Sequence, residues 1–166
     1  ATLNMGSGTW TITGTGTIWG VTITAALTLN ADTSTITCTD TSSSTKTFDG
    51  EGKTYYNLSV SGLAAAGTFT VTGSNSFNNV TFAPLSNIRL TASTTQTIAG
   101  TISATGTAGN GIVVRSTSAT NATISSANNV TWDYVTLTDL TGTGGGVFTA
   151  TNSTDGGGNV NWSITP

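Results

Sequence analysis

Histidine is absent from the 166 residues, and the chain has one Cys, two Pro, four basic and seven acidic residues. Each scarcity removes a class of function. Without His there is no Ser-His triad, and Cys38 alone can neither close an internal disulfide nor begin a Cys/His metal site. With no Lys, Arg or His adjacent in sequence to lower its pKa, Cys38 reads as a small buried apolar residue. Charged residues are 7% of the chain, against a usual level of about 25%. A net charge of −3 and a pI near 4.3 leave no basic surface for neutralising phosphates, so nucleic acid is excluded as a partner. No run approaches the roughly 18 apolar residues of a membrane-spanning helix, so no membrane insertion is expected. The first residues, Ala1-Thr2-Leu3-Asn4, carry neither an initiator Met nor a basic-then-apolar leader, which suggests a processed product or a segment of a larger protein.

What is present is 40 Thr, 21 Gly, 18 Ser and 14 Asn, while Glu, Lys, Arg, Gln and Met together number seven. Strong helix formers are nearly missing and β-branched residues dominate, which is the alphabet of an all-β protein. Strict alternation recurs in Thr9-Trp10-Thr11-Ile12-Thr13, Val21-Thr22-Ile23-Thr24, Thr35-Ile36-Thr37, Thr68-Phe69-Thr70-Val71-Thr72 and Val135-Thr136-Leu137-Thr138. Period 2 means strands with one apolar and one hydroxyl face. Turn clusters such as Asp49-Gly50-Glu51-Gly52, Gly73-Ser74-Asn75 and Thr143-Gly144-Gly145-Gly146 follow these runs. Regularly spaced Leu, Ile, Val and Phe indicate an ordered single domain over residues 1–166.

An internal repeat discriminates among all-β folds. Tyr55-Tyr56-Asn57-Leu58-Ser59-Val60, Phe77-Asn78-Asn79-Val80-Thr81-Phe82 and Trp132-Asp133-Tyr134-Val135-Thr136-Leu137 share the order aromatic, two intervening residues, aliphatic, hydroxyl, apolar. Ile98-Ala99-Gly100-Thr101-Ile102 reads as the same unit shortened by one. Tyr55 to Phe77 is 22 residues and Phe77 to Ile98 is 21. A unit of that length holding two or three short strands is about one turn of a parallel β-helix. The expected fold is a right-handed parallel β-helix, a solenoid of roughly seven coils and about 35 Å in length. The alternative is an antiparallel β-sandwich with Asp49-Gly50 and Asn110-Gly111 as hairpin turns, which leaves the recurrence unexplained.

The blocks Met5-Gly6-Ser7-Gly8-Thr9-Trp10-Thr11-Ile12-Thr13-Gly14-Thr15-Gly16-Thr17-Ile18-Trp19, Thr47-Phe48-Asp49-Gly50-Glu51-Gly52-Lys53-Thr54-Tyr55-Tyr56-Asn57-Leu58, Gly73-Ser74-Asn75-Ser76-Phe77-Asn78-Asn79-Val80 and Asp155-Gly156-Gly157-Gly158-Asn159-Val160-Asn161-Trp162 resemble the Thr/Gly-rich right-handed β-helix repeats of phage structural proteins and bacterial surface proteins. This resemblance covers nearly the whole chain. It implies an extracellular or virion-borne module, such as a tail fibre, capsid decoration protein or adhesin, and it brings no catalytic motif.

Carboxylates are the only acid-base groups, and a tailspike-type glycosidase needs a close pair of them. Asp49 and Glu51 read as a solvated corner turn with Gly supplying positive φ, and two carboxylates are too few for Ca²⁺. Asp133 reads as a polar corner residue; Asp139 lies at the other end of the same strand. Arg89 in Ile88-Arg89-Leu90 and Arg115 in Val114-Arg115-Ser116 are the only arginines a polysaccharide lyase could use as a base, but solubility and edge protection account for two outward side chains. No catalytic, cofactor-binding or metal residue is assigned, and no cofactor is expected.

Trp10 and Trp132 take inward positions in the alternation and read as core. Trp19 and Trp162 lie near turns, where an exposed ring is expected; the alternative for Trp162 is a cover for the last coil, since open solenoid ends need capping. Tyr55, Tyr56 and Tyr134 are the other rings that could stack on sugars. With no capping helix in the sequence, one end is expected to abut another domain or an identical subunit. Thr-x-Thr triplets begin at Thr11, Thr22, Thr35, Thr70, Thr95 and Thr136, a pattern shared with ice-binding solenoids, but their spacings of 11, 13, 35, 25 and 41 residues follow no single period. Asn-x-Ser/Thr sequons occur at Asn57, Asn79, Asn121, Asn129, Asn152 and Asn161. Composition alone yields about five, so they give no support for glycosylation. The function expected is non-enzymatic structural display or attachment on a virion or cell surface, with other virion or surface subunits, identical copies or glycans as partners. The alternatives are a carbohydrate-binding or polysaccharide-degrading tailspike-like domain, and an ice-binding protein.

Overall fold

A computed structural model describes residues 1–21, 27–61 and 67–166. The triplet Thr22-Ile23-Thr24 lies outside the described residues. The chain is all-β, and every pairing between its strands is parallel. A first sheet orders β2 (Thr9–Ile12), β5 (Thr35–Cys38), β7 (Asn57–Val60), β10 (Asn79–Phe82) and β13 (Ile102–Ala104). A second, of seven strands, orders β3 (Gly16–Gly20), β6 (Thr45–Asp49), β8 (Thr68–Thr72), β11 (Asn87–Leu90), β14 (Ile112–Ser116), β17 (Val135–Thr138) and β20 (Thr154–Asp155). A third orders β9 (Ser76–Phe77), β12 (Thr95–Ile98), β15 (Ala122–Ser126) and β18 (Leu140–Thr143). The pair β1 (Thr2–Asn4) and β4 (Thr28–Asn30) stands apart. The trio β16 (Val130–Asp133), β19 (Phe148–Thr151) and β21 (Ser163–Ile164) continues the first sheet through a parallel bridge from Thr105 to Asp133.

Each visit to a sheet lays the chain beside its previous visit, never head to tail. This geometry is compatible with a β-solenoid. The only antiparallel bridge among the described residues joins Thr107 to Asn110, a local turn, and the Asp49-Gly50 step ends β6 without forming a hairpin. Neither pair serves the antiparallel sandwich.

Alternation decides which side of each strand is buried. In the first sheet Ile36, Leu58, Val80 and Ile102 share one inward column, and Cys38, Val60, Phe82 and Ala104 share the next; all are buried. Large and small residues alternate where the column continues into the last strands. Trp132, fully buried, pairs in register with Ala150, and the adjoining Thr105–Asp133 bridge puts Ala104 on its other side. The Trp132 indole N–H donates to the Ile102 carbonyl at 3.2 Å, so the polar tip of the ring is satisfied within the core. One hydrophobic cluster runs from Met5 to Ala150.

Two readings of the repeat need correction. Phe77 pairs with Ile98 and Val80 with Ile102, so the corner at Ile98–Ile102 is one residue longer than its neighbour, not shorter. The Trp132–Leu137 unit does not stack on the Tyr55 and Phe77 units. Leu58 and Val80 lie in the first sheet, whereas Val135 pairs with Ile112 in the second. The shared pattern marks an inward aromatic ahead of a corner, and corners recur between every two sheets. At this corner Tyr134, with φ of 53°, is the single residue joining β16 to β17, and Asp139, with φ of 54°, is the single residue joining β17 to β18. Left-handed conformations at non-glycine residues are uncommon and costly, and here they turn the chain sharply between sheets.

Register steps are unequal. Thr9 pairs with Thr35, a step of 26, Thr35 with Asn57, a step of 22, Thr95 with Thr123, a step of 28, and Val130 with Phe148, a step of 18.

Candidate functional site

On the outer side of the first sheet, alternation and register together build two polar columns. The inner one is Thr9, Thr35, Asn57 and Asn79; the outer one is Thr11, Thr37, Ser59, Thr81 and Ser103. Strand spacing sets members of a column about 4.8 Å apart, and two residues of rise set the columns about 6.7 Å apart. The inner column is bonded to itself. The Asn57 side-chain amide donates to Thr35 Oγ1 at 3.1 Å, the Asn79 amide donates to Asn57 Oδ1 at 2.9 Å, and Thr101 donates to Asn79 Oδ1 through its N–H at 2.9 Å and its hydroxyl at 3.0 Å. Among the described residues, no side-chain hydrogen bond engages the outer hydroxyls. A shallow groove between the columns is lined by Thr35, Asn57, Ser59, Asn79, Thr81 and Thr101. The face carries no charge and no aromatic ring, so it offers donors and acceptors on a flat lattice.

The sequence triplets do not describe this face. Thr11-Ile12-Thr13 and Thr35-Ile36-Thr37 begin on the first sheet, Thr70-Val71-Thr72 and Thr136-Leu137-Thr138 on the second, and Thr95-Gln96-Thr97 on the third. Their irregular spacing therefore carries no weight against a regular hydroxyl array. The signal that finds the array is a hydroxyl or Asn two residues from another on strands β2, β5, β7 and β10, with coil lengths allowed to vary.

All six sequon asparagines hold neighbouring parts of the fold together. Nδ2 of Asn121 donates to Thr141 Oγ1 and to the Gly158 carbonyl, that of Asn152 to Asp133 Oδ1, and that of Asn161 to the Gly142 carbonyl. Asn129 Oδ1 accepts from the Val147 N–H, while Asn57 and Asn79 form the ladder above.

Carboxylates are used in the same way. Asp49 accepts from the Thr72 hydroxyl at 2.6 Å, and Asp133 accepts from Thr151 Oγ1 and Asn152 Nδ2 at 2.9 and 2.8 Å. Glu51 sits exposed at a corner with φ of 48°. Gly52 there adopts positive φ, but Gly50 serves a different purpose: a Cβ on it would run into the Asn75 side chain, whose Oδ1 accepts the Gly52 N–H. Asp155 is held below the usual carboxylate range by the Gly157 N–H and the Asn159 amide. No cluster of three His, Cys, Asp or Glu suited to a metal ion occurs among the described residues.

Lys46 is the feature least visible in the sequence. It takes an inward position, in register with Phe69, and is fully buried. Its ammonium donates to the Ser42 and Ser44 carbonyls at 2.9 and 3.1 Å and to Ser42 Oγ at 3.1 Å, with Asp40 Oδ1 at 3.3 Å. Asp40 is held far below the usual carboxylate range by its bonds from Ser42 and Gly14, with a smaller contribution from Lys46. Cys38 is buried as expected, and desolvation pushes its thiol up.

Two groups of aromatic rings pack together, one around Trp19, Phe48 and Tyr55 and one around Trp132, Phe148 and Trp162. Trp10 keeps the inward register, opposite Ile36, yet is 37% exposed, because among the described residues no strand pairs with β2 on its other edge. Trp19, expected to be exposed, instead packs parallel to Phe48 at 6.0 Å, and its indole N–H donates to the Tyr55 hydroxyl at 3.2 Å. That hydroxyl donates to the Gly50 carbonyl, and burial pushes the Tyr55 phenol up to about 12. Trp162 covers the last turns, 4.7 Å from Trp132 and 5.0 Å from Phe148 between ring centroids.

Arg89 and Arg115 occupy equivalent outward positions on β11 and β14. No protein-family model, curated protein or solved structure matches the chain.

Proposed function

We propose that the chain is a right-handed β-solenoid of about seven coils, acting without catalysis as a structural or attachment module on a virion or cell surface. Right-handed crossover between parallel strands of one sheet is the strong general rule, and the parallel registers of all sheets suit a continuous coil. The observation that carries the functional reading is the double column on the first sheet, in which the inner column satisfies itself and the outer hydroxyls of Thr11, Thr37, Ser59, Thr81 and Ser103 remain available. A flat uncharged lattice of hydroxyls suits partners that are themselves repetitive and rich in hydroxyl groups: neutral glycans, or the like faces of neighbouring subunits. Asp32, Asp40, Asp49, Asp133 and Asp155 are committed to bonds that hold the fold, which argues against a hydrolytic pair. A glycan array combined with a turnover assay tests this reading. Binding without turnover, lost on Ser59→Lys and Thr81→Lys, supports it; turnover that disappears on Asp49→Asn or Glu51→Gln overturns it.

The same lattice favours a second reading, ice binding, because hydroxyls repeating at about 4.8 by 6.7 Å can order a layer of water. Thermal hysteresis that vanishes with Thr37→Lys and Ser59→Lys would establish it in place of attachment.

A further inference from the structure

A second surface of the molecule has a different chemistry. Of the four basic side chains, Lys46 is bonded within the core and Lys53 donates to the Leu27 carbonyl at 3.1 Å. Arg89 and Arg115 make no side-chain hydrogen bond or ion pair among the described residues. They are register partners on adjacent strands, on the same outward face, with Thr70 and Thr138 as the next residues of the column on either side. Like charges placed directly opposite one another are destabilising, and this column supplies no acid to offset them. Arg89 Nε is buried without a partner, as is Oδ1 of Asn87 two residues earlier on the same strand face. Orphaned polar atoms of this kind cost stability unless something bonds them.

Both guanidiniums line a groove with Thr117, Ser118, Thr138 and Asp139. We propose that this groove is a binding subsite for a carboxylate-bearing sugar, a uronic acid unit of an acidic polysaccharide. Two neighbouring arginines suit a carboxylate, because a guanidinium can donate two parallel N–H bonds to its oxygens. The surrounding hydroxyls suit the ring hydroxyls on either side of that carboxylate. Asp139 at the edge of the groove accepts from a sugar hydroxyl and repels a densely charged polyanion, which selects for isolated negative charges set among hydroxyls. This site is separate from the hydroxyl face on the first sheet, so either can fail without the other.

The test is calorimetric titration of the whole chain with galacturonate oligomers, with neutral dextran and dextran sulfate as comparison probes. Galacturonate is expected to bind, with affinity falling as salt is raised, and neutral dextran is expected to give no signal that depends on the arginines. Arg89→Gln and Arg115→Gln should each weaken galacturonate binding roughly 10- to 100-fold, and Arg115→Lys, which keeps the charge and loses the fork, should fall between. Without ligand, Arg115→Gln should leave Tm unchanged or raise it, because it relieves a like-charge contact. The proposal is overturned if the double Gln variant binds galacturonate as the parent does, if dextran sulfate binds as tightly as galacturonate, or if Arg115→Gln lowers Tm sharply, which would make the arginines structural.

Discussion

Trp162 lies over Trp132, ring centroid to ring centroid at 4.7 Å, and closes the end of the core that Trp132 fills. A parallel stack has an inherent difficulty at its ends, where inward columns stop and apolar side chains meet water. Here one aromatic ring near the C-terminus covers another two strands deep, with Phe148 as the third member. Truncation of Trp162 to Ala should therefore cost about 2 kcal/mol in urea unfolding. It should also weaken the near-ultraviolet circular dichroism arising from the Trp pair. A loss below a few tenths of a kcal/mol would mean that the ring is a bystander.

Gly142 faces the Phe148 ring so closely that an added Cβ would fall 2.6 Å from it. Gly142→Ala should destabilise by about 1–3 kcal/mol, and Phe148→Leu in the same chain should recover part of that loss. A double-mutant cycle measures the coupling, and strict additivity would show that the two residues do not share the space.

Lys46 is buried among apolar neighbours with Asp40 as its partner. Buried ion pairs are often replaceable by well-packed apolar residues, whereas removing one partner is harmful. Lys46→Met and Lys46→Ala both take the cation from Asp40, which keeps its bonds from Gly14 and Ser42; Met retains the packed stem and should lower the unfolding midpoint less, while Lys46→Ala adds a void and should lower stability by about 2 kcal/mol.

Stability should also depend on pH at both extremes. Asp40 and Asp155 titrate below their ordinary value in the folded chain. As pH falls below about 4 the unfolded chain takes up protons that the folded one still refuses, and stability declines. It is fully present above that range. Asp155→Asn should shrink the acid loss, measured as the urea midpoint between pH 6 and pH 2. At the alkaline end Tyr55, raised to about 12, keeps its proton after the unfolded chain has released it at about 10. Stability should therefore fall as pH rises from 10 towards 12. In an absorbance titration Tyr55 should ionise late, and that late phase should be absent in Tyr55→Phe.

Much of the fold was legible from the residues. Thr35-Ile36-Thr37-Cys38 and Asn57-Leu58-Ser59-Val60 read as half-buried strands, and they are. The 22-residue step from Tyr55 to Phe77 reappears as the register of Asn57 on Asn79. The candidate faces were not legible. A hydroxyl array is a property of neighbouring strands, and register steps that range from 14 residues (Thr149 on Ser163) to 30 (Gly16 on Lys46) hide the repeat from any search for one period. Lys46 was missed because an inward Lys breaks the polar-outward pattern, and the carbonyls of Ser42 and Ser44 that satisfy it become visible only once the loop folds over its tip.

By itself the sequence determined the secondary structure and the side of each strand that turns inward, because period-2 alternation and β-branched composition act locally and need no partner. It also left His-based chemistry without its group, since the 166 residues hold no His. Only the tertiary structure decided which strands lie side by side. Register between distant segments brought Arg89 beside Arg115, set Ser59 between Thr37 and Thr81, and left Trp10 exposed while Trp132 was enclosed. Those neighbours are fixed by how many residues each corner consumes, a quantity set by backbone turns such as Tyr134 and Asp139 and not by the alternation of the strands they join.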